Sequence, residues 1–247
     1  MTKQHLSLND FARVDIRGAF RFEIVKSDKY DVVLERDWRL HPTASVRGDT
    51  LVISEPWYDL VHWITPWVSP WVRVEMPELR ELRVSGASRG STTGFTSYHD
   101  FKLSVRGASQ VTGDFTSDDC DFDVAGASKI QLGASAKVLR LKVAGASRLS
   151  GSLQAEKGDI HVVGASRMDV KGQMGDAVID VAGASPLDLA NLTVRNAGIK
   201  LLGASQCSLS VSGRMDAELA GASRLVYGGN PVMGNIRAVG ASSLTRR

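Results

Sequence analysis

The side chains best suited to hold a ligand are crowded into one stretch. From Glu55 to Val72 the sequence reads EPWYDLVHWITPWVSPWV, which puts Trp57, Trp63, Trp67 and Trp71 in company with Tyr58. Large rings with a polar handle stack on sugars, anchor protein interfaces and settle at membrane surfaces. Pro56, Pro66 and Pro70 disfavour a regular helix, so the stretch reads as an insertion or long loop. The competing reading is that the rings fold down as a plug, or bury a contact between subunits.

Catalytic chemistry has a weaker footing. The tripeptide Gly-Ala-Ser recurs along the chain and supplies Ser88, Ser109, Ser128, Ser147, Ser166, Ser185, Ser205, Ser223 and Ser242. A nucleophilic serine needs a histidine and an acid in fixed relation to it, and neither recurs at a matching offset. His5, His41, His62, His99 and His161 are scattered, and no phosphate-binding loop, His-Glu-x-x-His or Cys-x-x-Cys motif occurs. Acidic residues cluster at Asp114, Asp118, Asp119, Asp121 and Asp123. Residues two apart on a strand stand about 6.7 Å from each other, too far for three to chelate one ion. Calcium held between neighbouring segments, serving an enzyme that cleaves acidic polysaccharides, is the catalytic alternative. No metal site is assigned and no cofactor is expected.

The repeat defines the elements that carry these groups. Its glycines are Gly86, Gly107, Gly126, Gly145, Gly164, Gly183, Gly203, Gly221 and Gly240, at steps of 21, 19, 19, 19, 19, 20, 18 and 19. A tenth copy at Gly133 is out of phase. Two before the glycine stand Val84, Val105, Val124, Val143, Val162 and Val181; four before it, Leu82, Leu103, Phe122, Leu141, Ile160 and Ile179. Four after it come Val111, Ile130, Leu149, Met168, Leu187 and Cys207, with mainly polar residues between. Alternation with period two marks strands with one buried face. Short coils that cannot bury that face alone must stack to close a core. The expected fold is therefore all-β, a right-handed parallel β-helix of about nine Gly-Ala-Ser coils of about 19 residues. Glycine and alanine make each corner, and the serines stack and bond across coils. Cys120 and Cys207, four coils apart, lie about 19 Å from each other at about 4.8 Å per coil, beyond disulfide reach. Two free, buried thiols are expected.

Two columns of charge flank the corner. Three before the glycine stand Arg83, Ser104, Asp123, Lys142, His161, Asp180, Lys200, Glu218 and Arg237, with signs that alternate over much of the column. Three after it stand Arg89, Gln110, Lys129, Arg148, Arg167, Pro186, Gln206, Arg224 and Ser243. The basic members Arg89, Lys129, Arg148, Arg167 and Arg224 form a stripe that either faces an acidic or sulfated polysaccharide or is a solvated face that resists aggregation.

Residues 1–80 lack the repeat but still read as β, through Val14, Ile16, Phe20, Phe22 and Ile24, then Leu51 and Ile53, then Val72, Val74 and Met76. They are expected to form an irregular N-terminal cap carrying the tryptophan-rich insertion at 55–72, ahead of one continuous solenoid over 81–247. With 30 basic and 27 acidic residues the net charge is +3, so no polyanion partner is demanded and no nucleic-acid partner is expected. No apolar run is long enough for a transmembrane segment, and the opening Met1-Thr2-Lys3-Gln4-His5 is not a signal peptide.

Leu8-Asn9-Asp10-Phe11-Ala12-Arg13-Val14, Ser27-Asp28-Lys29-Tyr30-Asp31-Val32, Asp49-Thr50-Leu51-Val52-Ile53, Met76-Pro77-Glu78-Leu79 and Leu82-Arg83-Val84-Ser85-Gly86-Ala87-Ser88 occur in that order. Together they resemble the auto-transporter adhesin head domain, or GIN domain, a bacterial family of unknown function, over residues 8–245. The resemblance implies a right-handed β-helix and export to the cell surface or periplasm, and it transfers no catalytic residues. Without a signal peptide in the sequence, the cytoplasm stays open as a location. The function expected is a non-catalytic, adhesin-like scaffold that binds a glycan, a cell-wall polymer or a protein. The alternative is a structural protein that forms a homo-oligomer through the tryptophan-rich segment.

Overall fold

The computed structural model describes residues 2–36, 41–55, 69–97 and 99–247, and none of these is helical. Twelve strands precede the most regular part: β1 Thr2–Leu6, β2 Arg13–Gly18, β3 Arg21–Lys26, β4 Asp31–Arg36, β5 Thr43–Arg47, β6 Thr50–Ser54, β7 Trp71–Met76, β8 Glu81–Gly86, β9 Arg89–Thr96, β10 Phe101–Val105, β11 Gln110–Thr116 and β12 Asp119–Val124. Nine follow: β13 Lys129–Gly145, β14 Arg148–Gly164, β15 Arg167–Gly183, β16 Pro186–Gly203, β17 Gln206–Val211, β18 Arg214–Leu219, β19 Arg224–Gly229, β20 Val232–Ala238 and β21 Ser243–Arg246. All join one continuous sheet, wound into a parallel β-solenoid of about nine turns with coils about 19 residues apart.

Register follows from the apolar alternation. Leu82, Leu103, Phe122, Leu141, Ile160, Ile179 and Ile199 face one another coil on coil, and each is buried. A slip of one residue would send the whole inward set to solvent. Burying each such side chain contributes about 1.5–3 kcal/mol.

The corner is where the repeat does its structural work. Gly145 has φ +90°, and a Cβ there would lie 2.4 Å from the carbonyl oxygen of Gly126 one coil away. That approach lets the Ala146 amide donate to the Gly126 carbonyl at 2.8 Å. The Ser147 hydroxyl donates to the same carbonyl at 3.2 Å, and the Ser128 amide donates to Ser147 Oγ at 3.3 Å. The pattern repeats through Ser166 and Ser185, and these serines are buried. Their hydroxyls are thus committed to holding coils together.

The first third of the chain does not fill the stack in sequence order. β2 pairs in parallel with both β6 and β8, and β3 with both β7 and β9. The coil made by β2 and β3 is therefore sandwiched between the coil of β6 and β7 and the coil of β8 and β9. Gly18 lies opposite Gly86, so the corner already exists at Gly18-Ala19-Phe20. Phe20 stands where later coils have serine: its carbonyl accepts from the Arg89 amide just as Ser88 accepts from Gln110. Phe20 is buried, filling with a ring the space near the end of the core. Beyond it, antiparallel pairings of β1 with β4, β4 with β7 and β5 with β6 cover the outer edge, which blunts strand-to-strand aggregation. At the other end Val232, Met233, Ile236 and Val239 are exposed.

Candidate functional site: a basic corner beside a polar groove

Strands that leave the serine corner carry the basic column outward. Trp71 is opposite Arg21, Arg21 opposite Arg89, Arg89 opposite Gln110 and Gln110 opposite Lys129. Lys129 then faces Arg148, which faces Arg167; farther along, Gln206 faces Arg224. All six basic side chains are exposed. The structure thus places Arg89, Lys129, Arg148, Arg167 and Arg224 in one column and adds Arg21 at its head. Among the described residues none of the six makes an ion pair, whereas ion pairs abound elsewhere, as in Arg83–Glu81 at 2.7 Å, Arg106–Asp123 at 3.2 Å and Arg214–Asp216 at 2.8 Å.

Beside this column the same strands present uncharged hydrogen-bonding groups. Ser91, Thr112, Gln131 and Ser150 lie in register two residues farther along. Past them, Thr96, Thr116, Ser135, Gln154 and Gln173 form a second ladder. Thr116, Ser135, Gln154 and Gln173 line two adjoining depressions of about 500 Å³ and about 720 Å³. Asp114 and Ser152 stand on one rim; on the other, Lys137 pairs with Asp118 at 2.8 Å. The out-of-phase Gly133-Ala134-Ser135 lies here, mid-strand, where a Cβ on Gly133 would strike the Asp114 carboxylate. A side chain at that point would displace the Asp114 carboxylate.

This second ladder has a signal in the sequence, though a faint one. Nine residues after the corner glycine stand Thr116, Ser135, Gln154 and Gln173, none of them charged. Beside apolar and charged columns, a neutral polar one reads as ordinary surface.

The tryptophan-rich segment divides differently. Trp71 is half-buried on β7, opposite Glu35 as well as Arg21. Trp57, Tyr58, Trp63 and Trp67 lie outside the described residues.

The acidic cluster is dispersed among cations. Asp119 pairs with Arg140 at 3.1 Å and Asp123 with Arg106 at 3.2 Å, while Asp121 faces Lys102 and Arg140 on adjacent strands. Among the described residues no three His, Cys, Asp or Glu side chains gather closely enough to hold a metal ion. His161 sits between Asp159 at 2.8 Å and Asp180 at 3.4 Å on the alternating charged face. Cys120 and Cys207 are free and buried. Burial pushes the thiol of Cys207 up to about 12 and that of Cys120 up to about 11, so neither is a ready nucleophile.

Comparison with known proteins agrees with this architecture. The model of the family described as "Putative auto-transporter adhesin, head GIN domain" matches residues 10–157 and 134–231. A "putative adhesin" from Parabacteroides merdae superposes with a TM-score of 0.72 at 12% identity, covering 100% of this chain and 95% of its own. A "putative adhesin" from Parabacteroides distasonis gives 0.72 at 18% identity, covering 100% and 96%. A "putative lipid binding protein" from the same species gives 0.71 at 18%, again covering 100% and 96%. At these identities the likeness is one of fold. No curated protein matches the chain.

Proposed function

This chain belongs to the auto-transporter adhesin head GIN-domain family, and from that premise we propose that it is a non-catalytic, adhesin-like module that holds an extended glycan at the cell envelope. The observation that carries the reading is the ladder Thr96, Thr116, Ser135, Gln154 and Gln173 along an open groove. A sugar chain presents hydroxyls at short, regular intervals. A column of hydroxyls and amides repeated at about 4.8 Å can donate to and accept from such a chain without first losing charged hydration. A rigid solenoid also fixes these groups before binding, which lowers the entropy spent on capture.

The aromatic residues belong to the same proposal. Trp71 stands at the head of the basic column, and Trp57, Tyr58, Trp63 and Trp67 precede it in the sequence, residue types suited to stacking on sugar planes. Export to the cell surface or periplasm follows from an adhesin's task. Among the described residues no helix is long and apolar enough to cross a membrane.

The test is direct binding to a panel of purified bacterial and plant polysaccharides, with Gln154→Ala/Gln173→Ala as the groove variant. At least one glycan should bind, and the double variant should weaken it about tenfold, as expected for two or three lost hydrogen bonds. Absence of binding across the panel, or affinity unchanged in the variant, overturns the reading. New reducing ends after prolonged incubation would transfer it to the catalytic alternative.

A further inference from the structure

We infer that the basic column selects an anionic polysaccharide and lays it lengthwise along the solenoid, from the coil of Arg21 to the coil of Arg167. This inference rests on the glycan-binding reading and adds the charge class and direction of the ligand. Four observations converge on it.

Lys129, Arg148 and Arg167 stand on consecutive coils, about 4.8 Å apart in backbone spacing. Like charges placed directly opposite destabilise a sheet. Yet among the described residues no carboxylate pairs with these three or with Arg21 and Arg89. The chain readily supplies such partners elsewhere: the column on the other side of the corner alternates in sign over most of its length, as at Asp180 opposite Lys200 and Lys200 opposite Glu218. An uncompensated cationic row is therefore a property of this column and not of the repeat.

The flanking positions point to sugar in place of another polyanion. Ser91, Thr112, Gln131 and Ser150 run beside the cations on the same face and suit hydroxyl-rich rings. Nucleic-acid channels place aromatic rings along the strand for base stacking, and the column itself offers Trp71 alone, at its end. A row one residue wide matches a single linear chain better than a duplex or a membrane plane.

The row also has limits. Asp169, two residues past Arg167 on the same coil, faces Ser150, and Asp188 faces Asp169, so the flank turns acidic at the coil of Arg167 and repels an anionic ligand from there on. Five intervals from Arg21 to Arg167 span about 24 Å at about 4.8 Å per coil. Carboxylates or sulfates spaced about 5–10 Å along a polymer, one or two coil spacings, can each meet a cation within that length.

Oligogalacturonates of graded length, dextran sulfate, neutral dextran and a single-stranded DNA oligomer are the probes, titrated by calorimetry at several salt concentrations. Acidic oligosaccharides should bind more tightly with length until they cover about 24 Å, with affinity that falls as salt rises. Neutral dextran should bind at least tenfold more weakly. The triple change Lys129→Gln/Arg148→Gln/Arg167→Gln should weaken acidic oligosaccharides about 100-fold, while Lys142→Gln/Lys200→Gln in the alternating column changes affinity less than twofold. Equal loss in both sets would reduce the effect to net charge and overturn the inference. Acidic oligosaccharide binding that survives the triple change overturns it while leaving the groove reading intact. Tighter binding of DNA than of any acidic sugar overturns the ligand class.

Discussion

Two columns flank the same corner at the same pitch, and they treat charge in opposite ways. Three residues before the glycine, Asp15 faces Arg83, Asp123 faces Lys142, His161 faces Asp180, and Lys200 faces Glu218. Three residues after it, Arg21 faces Arg89, and Lys129, Arg148 and Arg167 follow one another with no ion-paired carboxylate among the described residues. Backbone geometry is common to both columns, so it cannot explain the difference. One column balances itself within the fold, and the other leaves its balance to whatever lies outside. In a repeat protein every position is copied along the axis, so a single unbalanced position becomes a row.

The largest effect is expected where the corner that holds both columns is lost. Gly145→Ala puts a Cβ 2.4 Å from the Gly126 carbonyl at φ +90°. Destabilisation of more than about 2 kcal/mol is expected, from left-handed strain plus the clash. A denaturant midpoint lower than the parent's checks it, and an unchanged midpoint would mean that coils slide apart freely at the corner. Ser147→Ala should cost about 1–3 kcal/mol, because the buried Ser128 amide loses its acceptor. In that variant the Gly126 carbonyl keeps the Ala146 amide, so the loss is confined to one donor, and calorimetric melting would read it.

Smaller effects sharpen the contrast between the columns themselves. Lys200→Gln removes the 3.7 Å contact with Glu218 and should lower stability by no more than about 1 kcal/mol, less at high salt. Arg148→Gln should leave stability unchanged or raise it slightly, most visibly at low salt, since it relieves repulsion from Lys129 and Arg167. Opposite signs in paired melts would support the division; equal losses would show that Arg148 has a partner within the fold. The interior provides a control. The neutral thiols of Cys120 and Cys207 are favoured in the folded state, with values raised to about 11 and about 12. Their contribution is fully present below the ordinary thiol value and is lost as pH rises through about 9 toward 11–12. Native protein at pH 8 should therefore resist thiol reagents, and both cysteines should react on unfolding.

Sequence reading reached far into the fold and less far into the site. The corner glycines, the inward columns and the serine ladder were legible because a solenoid maps sequence period directly onto spatial neighbours. The corner at Gly18-Ala19-Phe20 escaped because Phe20 replaces the serine that marks the others. The neutral ladder from Thr96 to Gln173 escaped because uncharged polar residues carry no periodic signal unless one looks for it.

What the sequence determined by itself was period, parity and the chemical content of each column: which side chains point inward, which charges repeat, and that two cysteines are too distant to bond. Only the tertiary structure decided the order of the first coils, with β2 and β3 slipped between β6–β7 and β8–β9. It also decided that the neutral ladder lines an open groove, and that Arg21 joins Arg89 across residues far apart in the chain. Those facts depend on which strand lies beside which. Strand pairing is settled by burial and backbone hydrogen bonding over the whole stack, and no local spacing encodes it.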